Sequence, residues 1–408
     1  MPEHTRIIVI GGGIVGCSVL YSLAKLGWTD AILIEKRNLT SGSTWHAAGN
    51  CTFFGHYPSI TRLFVNSVNS YLQAESESGQ SIDFHSTGSL RLATNEKELA
   101  YYRNLEPLYD QLGVDYRVVS PEIVSDLFPI LSTEGVFGAA HTPDDGHVDA
   151  FGATHALAKA AKTRGAEIRL NCEVKSLELL QNGSWIVHTE ADEIVAEHVV
   201  VATSFWAREQ VQNLGLNVPV YALEHHEIVT DRVDSLQEVD FELPSIRDPY
   251  VPCNIRQEGE GLLCGIYESQ PVPWATDGIP PEFAEGLLPT NISILDSHLE
   301  KLVKRIPVFE QLGLKTVFNG PICYTPDGLP LLGPVNRFPG LWLATGFAIG
   351  IGTGGGSGEF LANWIVNGRP PYDLPFVHPS RFSNDLSKDD AIDMIVETYA
   401  RGYSIDEF

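Results

Sequence analysis

The chain has 408 residues, of which 43% are hydrophobic and 19% are charged, so it is long and apolar enough to bury a substantial core. Aspartate and glutamate number 52 against 27 lysines and arginines, which gives a formal net charge of -25. So acidic a surface repels phosphate backbones and anionic lipids, which excludes nucleic acid and membrane surfaces as expected partners. The cysteines form no CxxC pair and the longest apolar stretch is too short to span a bilayer, so we expect a cytoplasmic protein.

The start of the chain is predicted to form a strand, a helix and a second strand. Residues 7–10 are a continuous apolar run, residues 17–26 have helical periodicity, and residues 31–34 are another apolar run that ends at Glu35. Continuous apolar runs are typical of strands buried on both faces of a parallel sheet.

A glycine-rich turn, Gly11 to Gly16 with the spacing GxGxxG, connects the first strand to the helix. Glycine permits a tight turn and a close approach of backbone N–H groups to a pyrophosphate, which the positive end of the helix also attracts. Glu35 follows at the distance expected for an acid that binds the adenosine ribose. The pattern predicts a dinucleotide site without separating FAD from NAD. The second glycine-rich segment, residues 346–358, favours FAD.

Helices and strands alternate along the rest of the chain. The predicted elements are a helix at 150–165, a hairpin of strands 174–180 and 184–189 around an Asn-Gly turn, a buried strand at 198–202, mixed strands and helices at 207–317, a glycine-rich segment at 346–358 that precedes a helix at 359–366, and a mostly polar tail at 380–408.

Residues 40–49, TSGSTWHAAG, are too small and polar to pack as a helix and are predicted to form a loop. The segment closely resembles the flavin-attachment segment of the dimethylglycine/sarcosine dehydrogenase family, in which the histidine carries FAD covalently through the isoalloxazine 8α-methyl group. The resemblance extends over nearly the whole chain, through residues 84–93, 143–149, 205–209, 224–226, 256–258, 320–327 and 368–374.

The resemblance implies the two-domain fold of D-amino-acid-oxidase-like flavoproteins. Its class is α/β plus α+β: a Rossmann-type FAD-binding domain with an interleaved substrate domain built on a mixed or antiparallel sheet. The expected boundaries are residues 1–50, 145–206 and 318–379 for the FAD-binding domain, residues 51–144 and 207–317 for the substrate domain, and residues 380–408 for a C-terminal tail. This tail either docks a partner chain or is a simple extension.

The resemblance also implies roles for individual residues. His46 would carry the flavin, and His225 would face it and orient or deprotonate the substrate amine. Consecutive strand residues point to opposite faces, so His225 and His226 cannot both face the flavin. The residues expected to bind FAD are Gly11, Gly13, Ile14, Val15, Gly16, Glu35, Lys36, Ser43, Thr44, His46, Val174, Thr203, Trp206, Gly346, Gly350, Ile351 and Gly352.

A substrate carboxylate would need a cation, for which Arg62 and Arg256 are the candidates, and His56 and Tyr324 are candidate pocket residues. The alternative for His225 is a structural, hydrogen-bonded histidine. His225, His226 and Cys253 lack the spacing of a metal site, so no metal is expected.

Three features depart from the family pattern. Residues 253–255 read Cys-Asn-Ile where dimethylglycine-oxidising relatives carry neighbouring tyrosines, one of them at their active site. Thr203 and Ser204 replace a usual glycine, so their hydroxyls are available to the cofactor. The sequence stops about where relatives continue into a folate-binding domain, so a separate folate-binding or electron-acceptor protein is an expected partner.

Together these features predict an FAD-dependent dehydrogenase or oxidase for a secondary or tertiary N-methylated amino acid such as sarcosine or dimethylglycine. The imine formed would hydrolyse to formaldehyde and the demethylated amine. One alternative is a non-catalytic flavoprotein subunit, for electron relay or assembly, of a hetero-oligomer with a folate-binding partner. A third interpretation is an NAD-dependent dehydrogenase. Such an enzyme would have no function for the loop that contains His46.

Overall fold

The structure, a computed structural model, describes residues 3–405, in which two large β-sheets are flanked by helices. The strands are β1 (Glu3–Ile10), β2 (Ala31–Ile34), β3 (Asn50–Cys51), β4 (Ser89–Ala93), β5 (Arg117–Val119), β6 (Gly138–Thr142), β7 (Gly146–His147), β8 (Glu167–Arg169), β9 (Val174–Leu179), β10 (Trp185–Thr189), β11 (Glu193–Val201), β12 (Tyr221–Thr230), β13 (Ser245–Asp248), β14 (Cys253–Glu258), β15 (Gly261–Ile266), β16 (Pro273–Trp274), β17 (Leu314–Tyr324), β18 (Leu331–Pro334) and β19 (Leu341–Thr345). The helices are α1 (Ile14–Lys25), α2 (Pro58–Ser78), α3 (Glu96–Leu112), α4 (Pro121–Leu127), α5 (Ala150–Thr163), α6 (Ala207–Gln210), α7 (Asp296–Arg305), α8 (Gly350–Asn367) and α9 (Lys388–Ala400).

The first sheet has the strand order β18-β19-β11-β1-β2-β8, and the hairpin β9-β10 joins it at β11. The pairs from β19 to β8 are parallel, and the last four residues of β1 are buried because helices including α1, α5 and α8 cover one face and residues of the hairpin β9-β10 pack on the other. The predicted strands at 7–10, 31–34 and 198–202 and the predicted hairpin are confirmed. This order reverses direction at β1, which is where α/β sheets bind dinucleotides.

Helix α8 packs on α1 and α2 with unusually close backbones, which explains its glycines. A Cβ atom added at Gly355 would lie 2.7 Å from the carbonyl oxygen of Ser67, and one at Gly358 would lie 2.5 Å from the side chain of Ser18. The helix predicted at 359–366 is longer than expected, because the glycine-rich segment from Gly350 is already helical. Low intrinsic helix propensity is overridden here by tertiary packing.

The second sheet has the order β16-β12-β15-β14-β13-β4-β6-β5, and β17 pairs with β12 along most of its length. The expected domain boundary at residue 318 therefore falls inside a strand of this sheet. A second boundary also needs correction, because α2, expected in the substrate domain, packs on α1 and α8 in the core of the first sheet.

The segment expected to be a polar tail contains a packed helix. Ala391, Ile395 and Tyr399 of α9 are buried against Tyr221 of β12 and Tyr324 of β17. The helix begins with a capping bond from the Asp390 N–H to the side chain of Ser387. Within residues 3–405, no helix combines the length and apolar character needed to cross a bilayer.

Candidate active site

A cavity of about 420 Å³ lies between the two sheets, within the size range of small-molecule sites. Its first wall consists of the carboxyl ends of β1, β2 and β11, the loop 40–49 and the start of α8. Its second wall is one face of the second sheet. Each wall supplies a different kind of residue.

Glu35 connects two segments of the first wall by hydrogen bonds at one end of the cavity. Its carboxylate accepts hydrogen bonds from the Gly12 N–H at 2.7 Å and the Arg37 N–H at 2.8 Å. Burial raises the pKa of Glu35, although these hydrogen bonds oppose the shift. A Cβ atom at Gly11, whose φ is +112°, would collide with the carbonyl oxygen of Ala202, so the turn requires glycine there.

The loop 40–49 is held against this turn by backbone and side-chain hydrogen bonds. The Thr40 N–H donates to the Gly12 carbonyl at 3.0 Å, and the Ile14 N–H donates to the Thr44 hydroxyl at 3.2 Å. These bonds fix the loop at the N-terminal end of α1. His46 consequently lies inside the cavity instead of in solvent.

His46 packs against the strand β17, where Gly320 leaves room for its ring. A Cβ atom at Gly320 would lie 2.5 Å from Nδ1 of His46. Burial, aided by the neighbouring His225, lowers the pKa of His46 to about 4, so the imidazole is neutral at physiological pH. In register, Gly320 pairs with His225, which brings the two histidines to the same part of the cavity.

The residues of the first wall fit FAD. The N-terminus of α1 and the Gly11 turn suit a pyrophosphate, and Glu35 suits a ribose. The buried Thr203 hydroxyl, which lines the cavity, has no hydrogen-bond partner within residues 3–405, as expected of a group that bonds to a ligand. FAD would be held by these groups, by Lys36, stacked over Trp206 at 4.0 Å, and by the remaining predicted residues that line the cavity: Gly13, Ile14, Val15, Ser43, Thr44, His46, Val174, Gly350, Ile351 and Gly352.

Two predicted cofactor residues, Gly16 and Gly346, do not line the cavity. Both are packing positions. A Cβ atom at Gly16 would collide with the Gly11 carbonyl oxygen, and one at Gly346 would collide with the Thr325 side chain.

The second wall takes residues from five strands that are distant in sequence. The register places Arg91 of β4 beside Arg247 of β13, Arg247 beside Asn254 of β14, Asn254 beside Gly265 of β15, and Gly265 beside Glu227 of β12. His225, two residues before Glu227, shares its face, because strand side chains alternate. Glu227, Arg247, Asn254 and Arg91 all line the cavity, as do Tyr267 and Tyr403.

His225 is held from behind by a hydrogen-bonded network. Its Nδ1 lies 2.6 Å from the Tyr399 hydroxyl, which also donates to Glu268. The other Glu268 oxygen accepts from the backbone N–H and Nδ1 of His226, at 2.9 and 2.6 Å. His226 does not line the cavity, so the prediction that the two histidines face different ways is confirmed.

The network assigns the proton positions on both rings. The Asn291 N–H donates to Nε2 of His226, so the ring proton of His226 is on Nδ1. The Glu268 carboxylate accepts the Tyr399 proton, so Nδ1 of His225 donates to the Tyr399 oxygen. This leaves Nε2 of His225 as an acceptor with no hydrogen bond to any residue in 3–405.

Electrostatics favour a neutral His225. Burial lowers the pKa of His225, and the charge of Glu268 offsets part of that shift. For Glu268 itself, burial raises the pKa, but hydrogen bonds, including those from His226 and Tyr399, oppose burial and the carboxyl pKa is lowered. A neutral imidazole beside a retained carboxylate can accept a proton at Nε2.

The predicted substrate residues lie away from the cavity and need correction. Arg62 is exposed, and Arg256 donates to the Ala48 carbonyl at 3.1 Å and pairs with Glu258 at 2.6 Å. His56 Nδ1 lies 2.7 Å from the Tyr101 hydroxyl, and Tyr324 packs behind the second wall against Tyr399. Five residues of the second wall and of the network behind it were not predicted from the sequence: Arg91, Glu227, Arg247, Glu268 and Tyr399. Only Glu227 could have been found, from its position two residues after His225.

Comparison with known proteins agrees with this geometry. The family model DAO, described as FAD dependent oxidoreductase, matches residues 6–364. Mitochondrial dimethylglycine dehydrogenase of Mus musculus is 37% identical over 385 residues, which are 93% of this chain and 44% of that protein. The 4-methylaminobutanoate oxidase (formaldehyde-forming) of Paenarthrobacter nicotinovorans is 33% identical over 391 residues, 94% of this chain and 46% of that protein.

Among solved structures, L-proline dehydrogenase from P. horikoshii has a TM-score of 0.82 at 26% identity, over 94% of this chain and 98% of that one. The chain spans less than half the length of the two sequence relatives. The matched family model covers most of the chain, and both walls of the cavity fall within it apart from the C-terminal Tyr403. The chain therefore belongs to the DAO family of FAD-dependent oxidoreductases.

Proposed function

We propose that this protein oxidises an N-methylated secondary or tertiary amino acid, of the sarcosine and dimethylglycine type, and removes the methyl group as formaldehyde. The observation that carries this proposal is His225, whose Nδ1 is fixed by Tyr399 while Nε2 remains available beside His46. The named activities of the relatives, on dimethylglycine and methylaminobutanoate, support the same class of substrate.

The reaction requires an unprotonated amine, because the nitrogen lone pair stabilises the cation that forms as the C–H bond breaks. When bound, FAD supplies the acceptor for the hydride. His225 would take the amine proton at Nε2, and the resulting imidazolium would be stabilised by the Tyr399–Glu268 pair behind it. Hydrolysis of the iminium product gives formaldehyde and the demethylated amine.

Covalent attachment of FAD through His46 is part of the proposal. A neutral, buried imidazole packed against Gly320 is a nucleophile held in one position, which supports this role. Denaturing the purified protein in acid should leave the yellow colour with the precipitated chain, and His46→Ala should release it into the supernatant. A colourless precipitate from the unaltered protein would contradict the attachment.

Anaerobic titration with amines tests the activity. Sarcosine, dimethylglycine and longer N-methyl amino acids are compared with glycine and with betaine, whose quaternary nitrogen has no lone pair. We expect a secondary or tertiary amine to bleach the oxidised flavin band, and His225→Ala to slow bleaching by about 10²–10⁴-fold. If no amine bleaches the flavin, the activity is refuted and a non-catalytic flavoprotein subunit is favoured.

A separate folate-binding or electron-acceptor protein belongs to the same proposal. Formaldehyde release can be measured with and without tetrahydrofolate to test for transfer of the one-carbon unit. Turnover with oxygen, with a quinone and with an electron-transfer flavoprotein identifies the electron acceptor. Unchanged formaldehyde yield with tetrahydrofolate and any added folate-binding protein would contradict the first partner.

A further inference from the structure

We propose that Arg91 and Arg247 bind the substrate carboxylate and that Glu227 faces the amine end, so that the substrate is an N-methyl amino acid with several carbons between nitrogen and carboxylate. This inference rests on the proposed function and specifies its substrate class. Three observations carry it: the charged residues of the second wall, the lack of ion-pair partners for the two arginines within residues 3–405, and the number of strands between the arginines and Glu227.

Arg91 is positioned to bind an anionic ligand. Its guanidinium lies 4.1 Å from the ring centre of Phe54 and 5.3 Å from that of Tyr403, so aromatic rings cover it. Its buried Nε has no hydrogen-bond partner within residues 3–405. Burying a donor of this kind without a partner is unfavourable, so a ligand anion is the expected acceptor.

Arg247 adds a second cation beside it. Arg247 is 5% exposed and its side chain donates to Ser245. No carboxylate in residues 3–405 forms an ion pair with Arg91 or Arg247, in contrast to Arg305, which pairs with Asp248 at 2.7 Å. Two adjacent guanidiniums without a carboxylate partner match a carboxylate ligand, because each can donate to one oxygen.

Asp145 is the buried acid that partly offsets this charge. Its oxygens accept hydrogen bonds from the Thr52 hydroxyl, the Ser89 hydroxyl and the Phe53 N–H at 2.7, 2.5 and 2.6 Å. Those neutral donors occupy the carboxylate. One negative charge against two positive charges leaves this end of the cavity positive.

Glu227 forms the opposite end. It is 6% exposed, lines the cavity, and its Oε2 has no hydrogen-bond partner within residues 3–405. Burial raises the pKa of Glu227 to about 8, despite the nearby charge of Arg256. A bound ammonium group would favour the ionised carboxylate, so this end suits the nitrogen of an amino acid.

The strand order sets the distance between the two ends. From Glu227 on β12 to Arg247 on β13 the sheet crosses β15 and β14, three strand spacings or about 14 Å between backbones. Gly265 has no side chain and the short Asn254 side chain lies over it, so no bulky side chain separates Glu227 from Arg247 in this row of the sheet. An α-amino acid separates its nitrogen from its carboxyl carbon by only about 2.5 Å, which favours a longer substrate.

A series of aromatic contacts also lies between the two ends. The Tyr267 ring centre lies 5.2 Å from that of His225 and 5.2 Å from that of Tyr403. Tyr403 in turn lies 5.3 Å from the Arg91 guanidinium. Two aromatic rings therefore intervene between His225 and Arg91.

A chain-length series tests the inference. Flavin reduction is measured anaerobically with sarcosine, 3-(methylamino)propanoate, 4-(methylamino)butanoate and 5-(methylamino)pentanoate, and with N-methylbutylamine as the analogue without a carboxylate. We expect a longer acid to exceed both sarcosine and N-methylbutylamine in kcat/KM by about tenfold or more, since a charge-assisted hydrogen bond is worth about that factor.

Variants separate binding from chemistry. Arg247→Gln and Arg91→Gln should raise KM for the longer acid by about tenfold with little change in kcat, and leave N-methylbutylamine unaffected. Arg91→Lys should restore part of the loss. Glu227→Gln should weaken binding of the amine end in both compounds, and Arg62→Gln, outside the cavity, is the matched control. Flavin content and melting temperature verify that each variant is folded.

A binding measurement distinguishes this inference from the proposed function. The dissociation constant of 4-(trimethylammonio)butanoate, which has no lone pair to oxidise, is determined by equilibrium dialysis. Weaker binding to both arginine variants supports the inference even if no amine reduces the flavin. If sarcosine is the best substrate and the arginine variants bind and oxidise every compound normally, the inference is overturned and the proposed function stands.

Discussion

The two walls of the cavity are built in different ways. The first wall takes most of its residues from a few continuous stretches, around Gly12, His46 and Ile349. The second wall takes residues 318 and 320–323 from β17 and one or two residues from each of several other strands or their ends, from Arg91 of β4 to Tyr267, which directly follows β15. The first wall is therefore determined mainly by local sequence. The second wall forms only when the strands β12, β15, β14, β13 and β4 pair in the correct register.

The variant with the largest expected effect breaks the buried ion pair between Arg305 and Asp248, the last residue of β13. The Arg305 Nε donates to Asp248 at 2.7 Å, and Nη1 donates to the Ser132 and Glu134 carbonyls. Arg305→Ala leaves a buried carboxylate unpaired, so we expect the free energy of unfolding in urea to fall by about 3–5 kcal/mol. Arg232→Ala, in an exposed pair, should lose less than about 1 kcal/mol. Equal losses would contradict the dependence of β13 on distant contacts.

For the turn that forms part of the first wall, the corresponding test is Gly16→Ala, at the packing position next to Gly11. The added methyl group would collide with the Gly11 carbonyl oxygen, so we expect a loss of about 1–3 kcal/mol in stability and a lower flavin content, measured from the ratio of visible to ultraviolet absorbance. Gly113→Asn, where a Cβ atom would contact nothing within 4 Å and asparagine tolerates the backbone, is the control. Full flavin content in Gly16→Ala would show that the turn can adjust.

The pH dependence tests whether the network behind the second wall acts on His225. The negative charge of Glu268 raises the pKa of His225 against the effect of burial, so Glu268→Gln should lower that pKa further. His225 then stays neutral at lower pH. We expect the acid limb of the limiting rate of flavin reduction, identified by its loss in His225→Asn, to move to lower pH.

Glu260→Gln, at an exposed acid distant from the network, should leave the limb in place. An unmoved limb in Glu268→Gln would mean that Glu268 is only structural.

The smallest expected effect belongs to a single hydroxyl. Tyr399→Phe removes the group that holds Nδ1 of His225, and we expect flavin reduction to slow by about tenfold, with flavin content unchanged. Tyr372→Phe is the matched control, because the Tyr372 hydroxyl is buried without a hydrogen-bond partner in residues 3–405. Equal rates in both variants would contradict a positioning role for Tyr399.

The features that could be predicted from the sequence belong mostly to the first wall. The Gly11 turn, Glu35 and the loop containing His46 are local patterns, and the structure brings them together at the cavity. Arg91 and Arg247 are 156 residues apart and meet only through a parallel strand pairing, which no local pattern encodes. An arginine in a strand gives no signal of what stands beside it. Arg256 was therefore as plausible a candidate as Arg247.

Two helices, α8 and α9, show in the same way that local helix propensity was not enough to predict the structure. The helix was predicted from residue 359, yet the glycines at 350–358 are also helical, and α1 and α2 leave no room for side chains there. Polar residues at 380–408 predicted a tail, yet the few apolar positions of α9 lie on one face and are buried. In both cases the deciding partner lies far away in the chain.

The glycines of α8 also bear on the order in which the protein folds. Six glycines in one helix disfavour it by about 1 kcal/mol each relative to alanine, so α8 is not stable on its own. It can form only after α1 and α2 present their surfaces, which makes it a late and cooperative step. The N-terminal end of α8 borders the cavity, so the edge that would contact the cofactor becomes ordered only when the surrounding domain is already assembled.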